Sequence, residues 1–296
     1  MILAVASGKG GTGKTVIATS LARALAARGR RVVYADADAE EPNGAIVLAP
    51  RLESRRRYTV TVPRLAEERC AGHGACQRAC AFNAILATKG TIVVFDELCH
   101  SCGACARACP DGALVERPRE IGTITTGRAQ PAAAGEEAGR GARIEFIEGR
   151  LDVGEARVTP LIEGVREAAR PDGGVAVIDC PPGTSCSAMA GVRGADLALL
   201  VAEPTPFGLH DLELAAGMAR ALGVPTVAVI NRADLGDHRV RALLDEKRID
   251  VVAEIDYSRS LAEAYADARP LLEADDGFAA AIAAVADEVE RRGGAS

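Results

Sequence analysis

Apolar residues along this chain fall into two alternating patterns. Short, nearly uninterrupted apolar runs at Ile2 to Ala6, Arg31 to Ala35, Val175 to Ile178, Ala195 to Val201, Pro225 to Ile230 and Val251 to Ile255 have the length of strands buried on both faces. Between and after them, apolar positions spaced three and four apart predict helices over Thr15 to Arg28, Pro160 to Ala169, Leu209 to Leu222, His238 to Lys247, Leu261 to Ala268 and Gly277 to Arg292. Strands alternating with helices predict an α/β fold, a doubly wound and mostly parallel sheet. A block over 64–118 interrupts this alternation, so the pattern divides the chain into a first part (1–63), an insert (64–118) and a second part (119–296). Arg119 to Arg143, rich in Gly, Ala and Thr and without a clear period, is expected to be a loop or flexible hairpin returning from the insert. In the last helix, Phe278, Ile282, Val285 and Val289 share one face and basic residues are few, so a packing helix is expected rather than a membrane anchor.

Composition narrows the picture. With 48% hydrophobic residues over 296 positions but only 3% aromatics, the core must be built from Ala, Val, Leu and Ile. Acidic residues outnumber basic ones 41 to 35, and the net charge of -6 argues against nucleic acid as a partner. The one dense basic run, Arg51, Arg55, Arg56 and Arg57, reads as a solvated loop face. The first apolar run has no basic leader and no later run is long enough to span a bilayer, so a cytoplasmic protein without membrane insertion is expected. In that compartment nine cysteines point to metal rather than to disulfides.

Candidate chemistry begins directly after the first strand, where Gly8, Lys9, Gly10, Gly11, Thr12, Gly13, Lys14 and Thr15 lead into a helix. Glycines at this point let backbone N–H groups close around phosphate oxygens at a helix N-terminus. Lys14 is expected to reach the β- and γ-phosphates of ATP and Thr15 to ligate Mg²⁺. The chain has four lysines, Lys9, Lys14, Lys89 and Lys247, and two of them lie in this loop. The second strand ends in Asp36 and Asp38 and a later one in Asp179, which brings carboxylates to the carboxyl edge of the sheet. Asp179 suits the Mg²⁺ shell with Asp36 contributing, and Asp38 suits the orientation of an attacking water. Asn231, after another strand, could offer its amide to the base edge. Cys180 and Cys186 flank a Pro-Pro-Gly turn and read as small buried hydrophobes, with Cys186 the better functional candidate.

The other seven cysteines lie in the insert, where residues 70–85 repeat onto 99–114 with eight of sixteen positions identical. Cys99, Cys102, Cys105 and Cys109, followed by Pro110, have the bacterial ferredoxin spacing, in which three cysteines hold one iron–sulfur cluster and the fourth crosses to the other. The first half reads Cys70, His73, Cys76, Cys80. By the crossover rule one 4Fe-4S cluster takes Cys99, Cys102, Cys105 and Cys80, and the other takes Cys70, Cys76 and Cys109 with or without His73. Ligation by His73 gives a 4Fe-4S cluster of raised potential, its failure to ligate gives a 3Fe-4S cluster or a labile fourth iron, and a further alternative is that this first cluster is absent. His100 occupies a spacer position and is expected at the surface.

These residues resemble the MinD/ParA/Mrp group of P-loop ATPases, specifically members with an inserted two-cluster ferredoxin domain. The resemblance rests on Lys9-Gly-Gly-Thr-Gly-Lys-Thr15, Asp36-Ala-Asp-Ala-Glu-Glu-Pro-Asn43, Glu148-Gly-Arg-Leu-Asp-Val-Gly-Glu155, Asp179-Cys-Pro-Pro-Gly183 and Glu203-Pro-Thr-Pro-Phe-Gly208. It implies that Lys9 reaches into a partner subunit's nucleotide site when ATP joins two protomers, and hence a homodimer in the ATP state. His73 departs from the group, where cysteine is usual. The leading expectation is a Mg-dependent ATPase whose dimerisation is coupled to the iron–sulfur insert and gates electron transfer to a redox partner. An ATP-dependent cluster carrier serving an acceptor protein and a MinD/ParA-like spatial-positioning ATPase are the alternatives.

Overall fold

The computed structural model describes residues 1–66, 70–88, 91–129 and 143–294. The chain divides into two compact units, Met1–Arg56 with Ile124–Arg150 and Ile162–Ser296, and Arg57–Thr123 with Leu151–Leu161. Its strands are β1 (Ile2–Ala6), β2 (Val32–Asp36), β3 (Arg51–Leu65), β4 (Ile85–Thr88), β5 (Thr91–Val94), β6 (Leu114–Ala129), β7 (Ile144–Leu151), β8 (Val175–Asp179), β9 (Leu197–Ala202), β10 (Thr226–Asn231) and β11 (Asp250–Ile255). Its helices are α1 (Lys14–Ala27), α2 (Gly44–Leu48), α3 (Ala75–Ala79), α4 (Ala104–Ala108), α5 (Thr159–Ala168), α6 (Cys186–Val192), α7 (Pro206–Ala221), α8 (Arg239–Lys247), α9 (Arg259–Ala266) and α10 (Asp276–Gly293).

Among the described residues one sheet runs in the order β11-β10-β9-β1-β8-β2-β7-β6-β3, and its members from β11 to β7 pair in parallel. The expected α/β class is therefore the observed one. Strands β1, β2, β8 and β9 are buried along almost their whole length because helices cover both faces, which is why each is a plain apolar run. The core of this unit joins Leu3, Val5, Ile17, Leu21, Val177 and Leu199 to the inner face of α10. Phe278, Ile282, Val285 and Val289 are each no more than 2% exposed, so α10 is a packing helix.

Two expectations are corrected. Arg51, Arg55, Arg56 and Arg57 lie on the edge strand β3, not on a loop. The first seven positions of β3 are all exposed, so no apolar alternation marks the strand, which forms through its ladder to β6. Arg57 is held by Glu120 at 2.7 Å and by Asp152. The segment expected as a loop from Arg119 is strand β6 as far as Ala129. Its Thr and Gly residues suit a tight strand contact: a Cβ on Gly127 would lie 2.6 Å from the backbone oxygen of Arg51. The rest of that expected loop, 130–142, lies outside the described residues.

In the second unit the sequence repeat is a backbone repeat. Helices α3 and α4 start 29 positions apart, and paired positions take the same left-handed conformation: Gly72 and Ser101, Gly74 and Gly103, Asn83 and Gly112. Strands β4 and β5 pair antiparallel, with Ile85 opposite Val94.

Candidate nucleotide site and cysteine module

The parallel register sets the site. Asp36 at the end of β2 is level with Asp179 at the end of β8 and with Glu148 within β7, so three carboxylates line up across neighbouring strands. The phosphate loop leaves β1 beside them. Gly11 at φ 79° and Gly13 at φ 91° turn the chain into α1 through a conformation that favours glycine. A Cβ on Gly13 would also strike the Asn231 amide nitrogen at 2.6 Å. Asn231 donates through Nδ2 to the Thr12 carbonyl at 2.8 Å, so it braces the loop while lining the cavity beside it. That cavity, about 380 Å³, is bordered by Gly10, Lys14, Thr15, Asp38 and Asn231. It is also lined by Arg232, by Asp256, Tyr257 and Ser258 and by Tyr265 from α9, none of which carried a motif. Their one sequence signal was position, after the carboxyl ends of β10 and β11.

The carboxylates divide into distinct roles. Asp36 accepts three backbone N–H groups, Oδ1 from Asp38 at 3.2 Å and Oδ2 from Asn43 at 3.0 Å and Gly44 at 2.8 Å, so it ties down the loop that carries Asp38. Burial and the neighbouring Asp179 charge push its pKa well up. Asp179 is fully buried and its Oδ2 accepts from the Tyr34 hydroxyl at 3.1 Å. Its Oδ1 is sealed from solvent without a hydrogen-bond partner among the described residues. Burial raises the Asp179 pKa, opposed by the Lys14 ammonium and the Thr15 hydroxyl. An orphaned carboxylate oxygen beside a loop threonine is the donor set that a Mg²⁺ shell needs, and the residues present fit the ion.

Tyr34 escaped the sequence reading because it looks like one more core residue of β2. Burial, then the Asp179 and Asp36 charges, push its phenol well above the usual range and keep it a donor. Tyr34→Phe leaves Asp179 Oδ2 buried and unpaired, an expected loss of about 1–3 kcal/mol of unfolding free energy in urea titration. Weaker Mg²⁺ binding should accompany it.

Asp38 has its pKa pushed up to about 6, by burial first, then by the Asp179, Glu40 and Glu41 charges, against the pull of Lys14. Because the folded state favours the protonated acid, this contribution to stability is complete below the unfolded carboxylate value and is lost as pH rises through about 6. The melting temperature of nucleotide-free protein should therefore fall between about pH 4 and pH 6, and Asp38→Asn should flatten that fall in a calorimetric pH series.

Lys9 does not point into its own cavity. Its Nζ pairs with Glu203 Oε2 at 2.9 Å and donates to Thr205 Oγ1 at 3.1 Å, while Arg232 holds the other Glu203 oxygen at 2.6 Å. Burial raises the Glu203 pKa, but the hydrogen bonds from Lys9 and Arg232 outweigh it and leave the carboxyl low and ionised. Cys180 is buried, which pushes its thiol up to about 12 and leaves it inert, whereas Cys186 is exposed at the start of α6 rather than buried as expected.

In the cysteine module a small cavity is lined by Cys80, Cys99, Cys102 and Cys105. The thiols of Cys70 and Cys109 lie close enough to Cys76 to raise its pKa, after burial as the larger cause. Backbone N–H groups donate to sulfur at Cys80 (3.3 Å), Cys99 (3.5 Å) and Cys109 (3.4 Å). Among the described residues no three His, Cys, Asp or Glu side chains converge on a single-ion site. Ligands of a multi-iron cluster bind separate irons and need not converge so closely. His100 is exposed, as expected, and stacks on the exposed Phe82 with ring centroids 3.6 Å apart.

The family model described as the CobQ/CobB/MinD/ParA nucleotide binding domain matches residues 3–271. The chain belongs to this family. Its relatives include the uncharacterised protein MJ0578 of Methanocaldococcus jannaschii, 32% identical over 71% of this chain and 70% of that one. The uncharacterised ATP-binding protein MJ0547 of the same organism is 25% identical over 88% of this chain and 76% of its own. Among solved structures, the septum site-determining protein MinD of Pyrococcus horikoshii, complexed with Mg-ADP, superposes with a TM-score of 0.60 at 18% identity, covering 99% of this chain and 97% of that one. The MinD/ParA resemblance thus stands, and this chain has the nucleotide-binding fold of the family.

Proposed function

We propose that the protein is a MinD/ParA-type ATPase that binds Mg·ATP in the cavity beside the phosphate loop and dimerises when it does so. The observation that carries this reading is the buried Asp179 Oδ1, which has no hydrogen-bond partner among the described residues, on a carboxyl whose pKa burial raises and Lys14 and Thr15 of the phosphate loop pull down; a triphosphate-bound Mg²⁺ would complete it. Bound Mg²⁺ would neutralise charge developing on the phosphates. The chain's own groups do the rest: the loop N–H groups and Lys14 hold the phosphates, Asp36 fixes the Asp38 segment, and Asp38 orients the water. Asn231 supports the loop and borders the expected base end. Among the described residues no helix is long and apolar enough to cross a membrane. The test is Mg-dependent ATP hydrolysis, with light scattering of an Asp38→Ala variant in ATP and in ADP. A monomer in both nucleotides, or no hydrolysis above background, removes the reading.

A second layer of this proposal concerns the cysteines. Residues 64–118 are taken as a ferredoxin-type insert between ATPase segments 1–63 and 119–296, with one 4Fe-4S cluster on Cys80, Cys99, Cys102 and Cys105 and another on Cys70, Cys76 and Cys109. The cysteine-lined cavity and the N–H groups aimed at sulfur support it, since such donors stabilise thiolates. A bound cluster supplies a one-electron couple, for exchange with a redox partner or for delivery to an acceptor. Anaerobic purification with iron and acid-labile sulfide counts is the test, and colourless, sulfide-free protein refutes it.

A further inference from the structure

The two halves of the cysteine module share a backbone but not a ligand set. With matched left-handed residues on either side of positions 73 and 102, His73 stands on the backbone where Cys102 stands in the second half. Its side chain is not loose. Nδ1 lies 2.9 Å from Asp111 Oδ2, and the same carboxylate oxygen accepts the Ala71 N–H at 3.3 Å. Asp111 is two residues beyond Cys109, and Ala71 follows Cys70, so the carboxylate bridges the two segments that carry Cys70 and Cys109. At the equivalent place in the other half, position 82 is Phe82 and carries no charge.

Resting on the iron–sulfur reading above, we propose that His73 is the fourth protein ligand of the cluster held by Cys70, Cys76 and Cys109, binding iron through Nε2 while Asp111 holds the proton on Nδ1. A metal-bound histidine characteristically donates its other ring N–H to a carboxylate, which fixes the tautomer and orients the ring. The Asp111 contact meets that requirement and leaves Nε2 as the free lone pair. A neutral imidazole in place of a thiolate makes the site one charge less negative, so this cluster takes an electron more readily than its all-cysteine neighbour. The module then has a built-in direction, from the cluster of Cys80, Cys99, Cys102 and Cys105 toward the histidine cluster. Asp111 is a positioning residue, acting on the cluster through His73.

The experiment uses the full chain, purified anaerobically, with iron and sulfide counted first. Pulsed EPR of the dithionite-reduced protein should give a strong coupling to directly bound ¹⁴N, absent from His73→Cys, which should retain two four-iron clusters with the nitrogen cluster's midpoint potential lowered. His73→Ala should show the paramagnetic signal of an oxidised 3Fe-4S cluster. Asp111→Asn should keep the nitrogen coupling and raise that midpoint, a shift that loss of a merely structural contact would not give. Two clusters' worth of iron without bound nitrogen, or a 3Fe-4S signal in the unsubstituted protein, overturns the assignment. Absence of both iron and sulfide overturns the iron–sulfur reading itself, and the counts tell these failures apart.

Discussion

Asp179→Asn is expected to make the nucleotide-free protein more stable while nearly abolishing Mg-dependent ATP hydrolysis. Folding buries Asp179 level with Asp36, and each raises the cost of ionising in the interior. An amide keeps the shape and removes the charge, so the melting temperature without ligand should rise. The same change removes the Oδ1 charge offered to the metal, and a metal Lewis acid is worth several kcal/mol of transition-state stabilisation, or roughly 10²- to 10³-fold in rate. Opposite signs in one variant separate chemistry from folding. Thermal melts with and without Mg·ATP, beside steady-state hydrolysis, check both halves. A variant both less stable and still Mg-responsive would contradict the assignment of Asp179.

Lys9→Ala should lower ATP hydrolysis by roughly 10³-fold, the lower end of what a cation supplied from a second subunit gives in phosphoryl transfer, with nucleotide affinity of the monomer almost unchanged. The split follows from where the ammonium sits. Tied to Glu203 and Thr205, it lends nothing to its own cavity, so removing it should leave the binding isotherm alone. For Lys9 to act across a dimer of the proposed kind, the Glu203 pair would have to open, and the strength of that contact would then temper dimerisation. Glu203→Gln should accordingly strengthen ATP-dependent dimerisation, read by analytical ultracentrifugation. Loss of nucleotide affinity in Lys9→Ala on the same scale as the loss of turnover would assign the lysine to its own site instead.

Of the three functional readings the sequence left open, the family match supports the MinD/ParA-like ATPase better than electron transfer or cluster delivery, since it speaks to the nucleotide domain. The chemistry of the cysteine module rests on its own geometry and its own test. Within the candidate nucleotide site, the places of Lys14, Thr15, Asp38 and Asp179 were legible because each sits at a fixed offset from a strand end or a glycine turn. Tyr34 and Glu203 were not. Their importance comes from residues 145 and 194 positions away in the chain, Asp179 and Lys9, and local spacing holds no trace of such contacts.

The chain's own pattern determined the parallel sheet, since strands buried on both faces must be continuous apolar runs, and it determined the phosphate loop, whose glycines are required by backbone geometry. Strand β3 was decided only in three dimensions, because an exposed edge gains its order from ladder hydrogen bonds rather than from side-chain burial, and β6 because its Thr- and Gly-rich run is buried only once it lies between β7 and β3. The same holds for the division of labour among the acids. Three carboxylates can be read from the primary structure, but only packing leaves one Asp179 oxygen unpaired while Asp36 spends both of its own on the backbone.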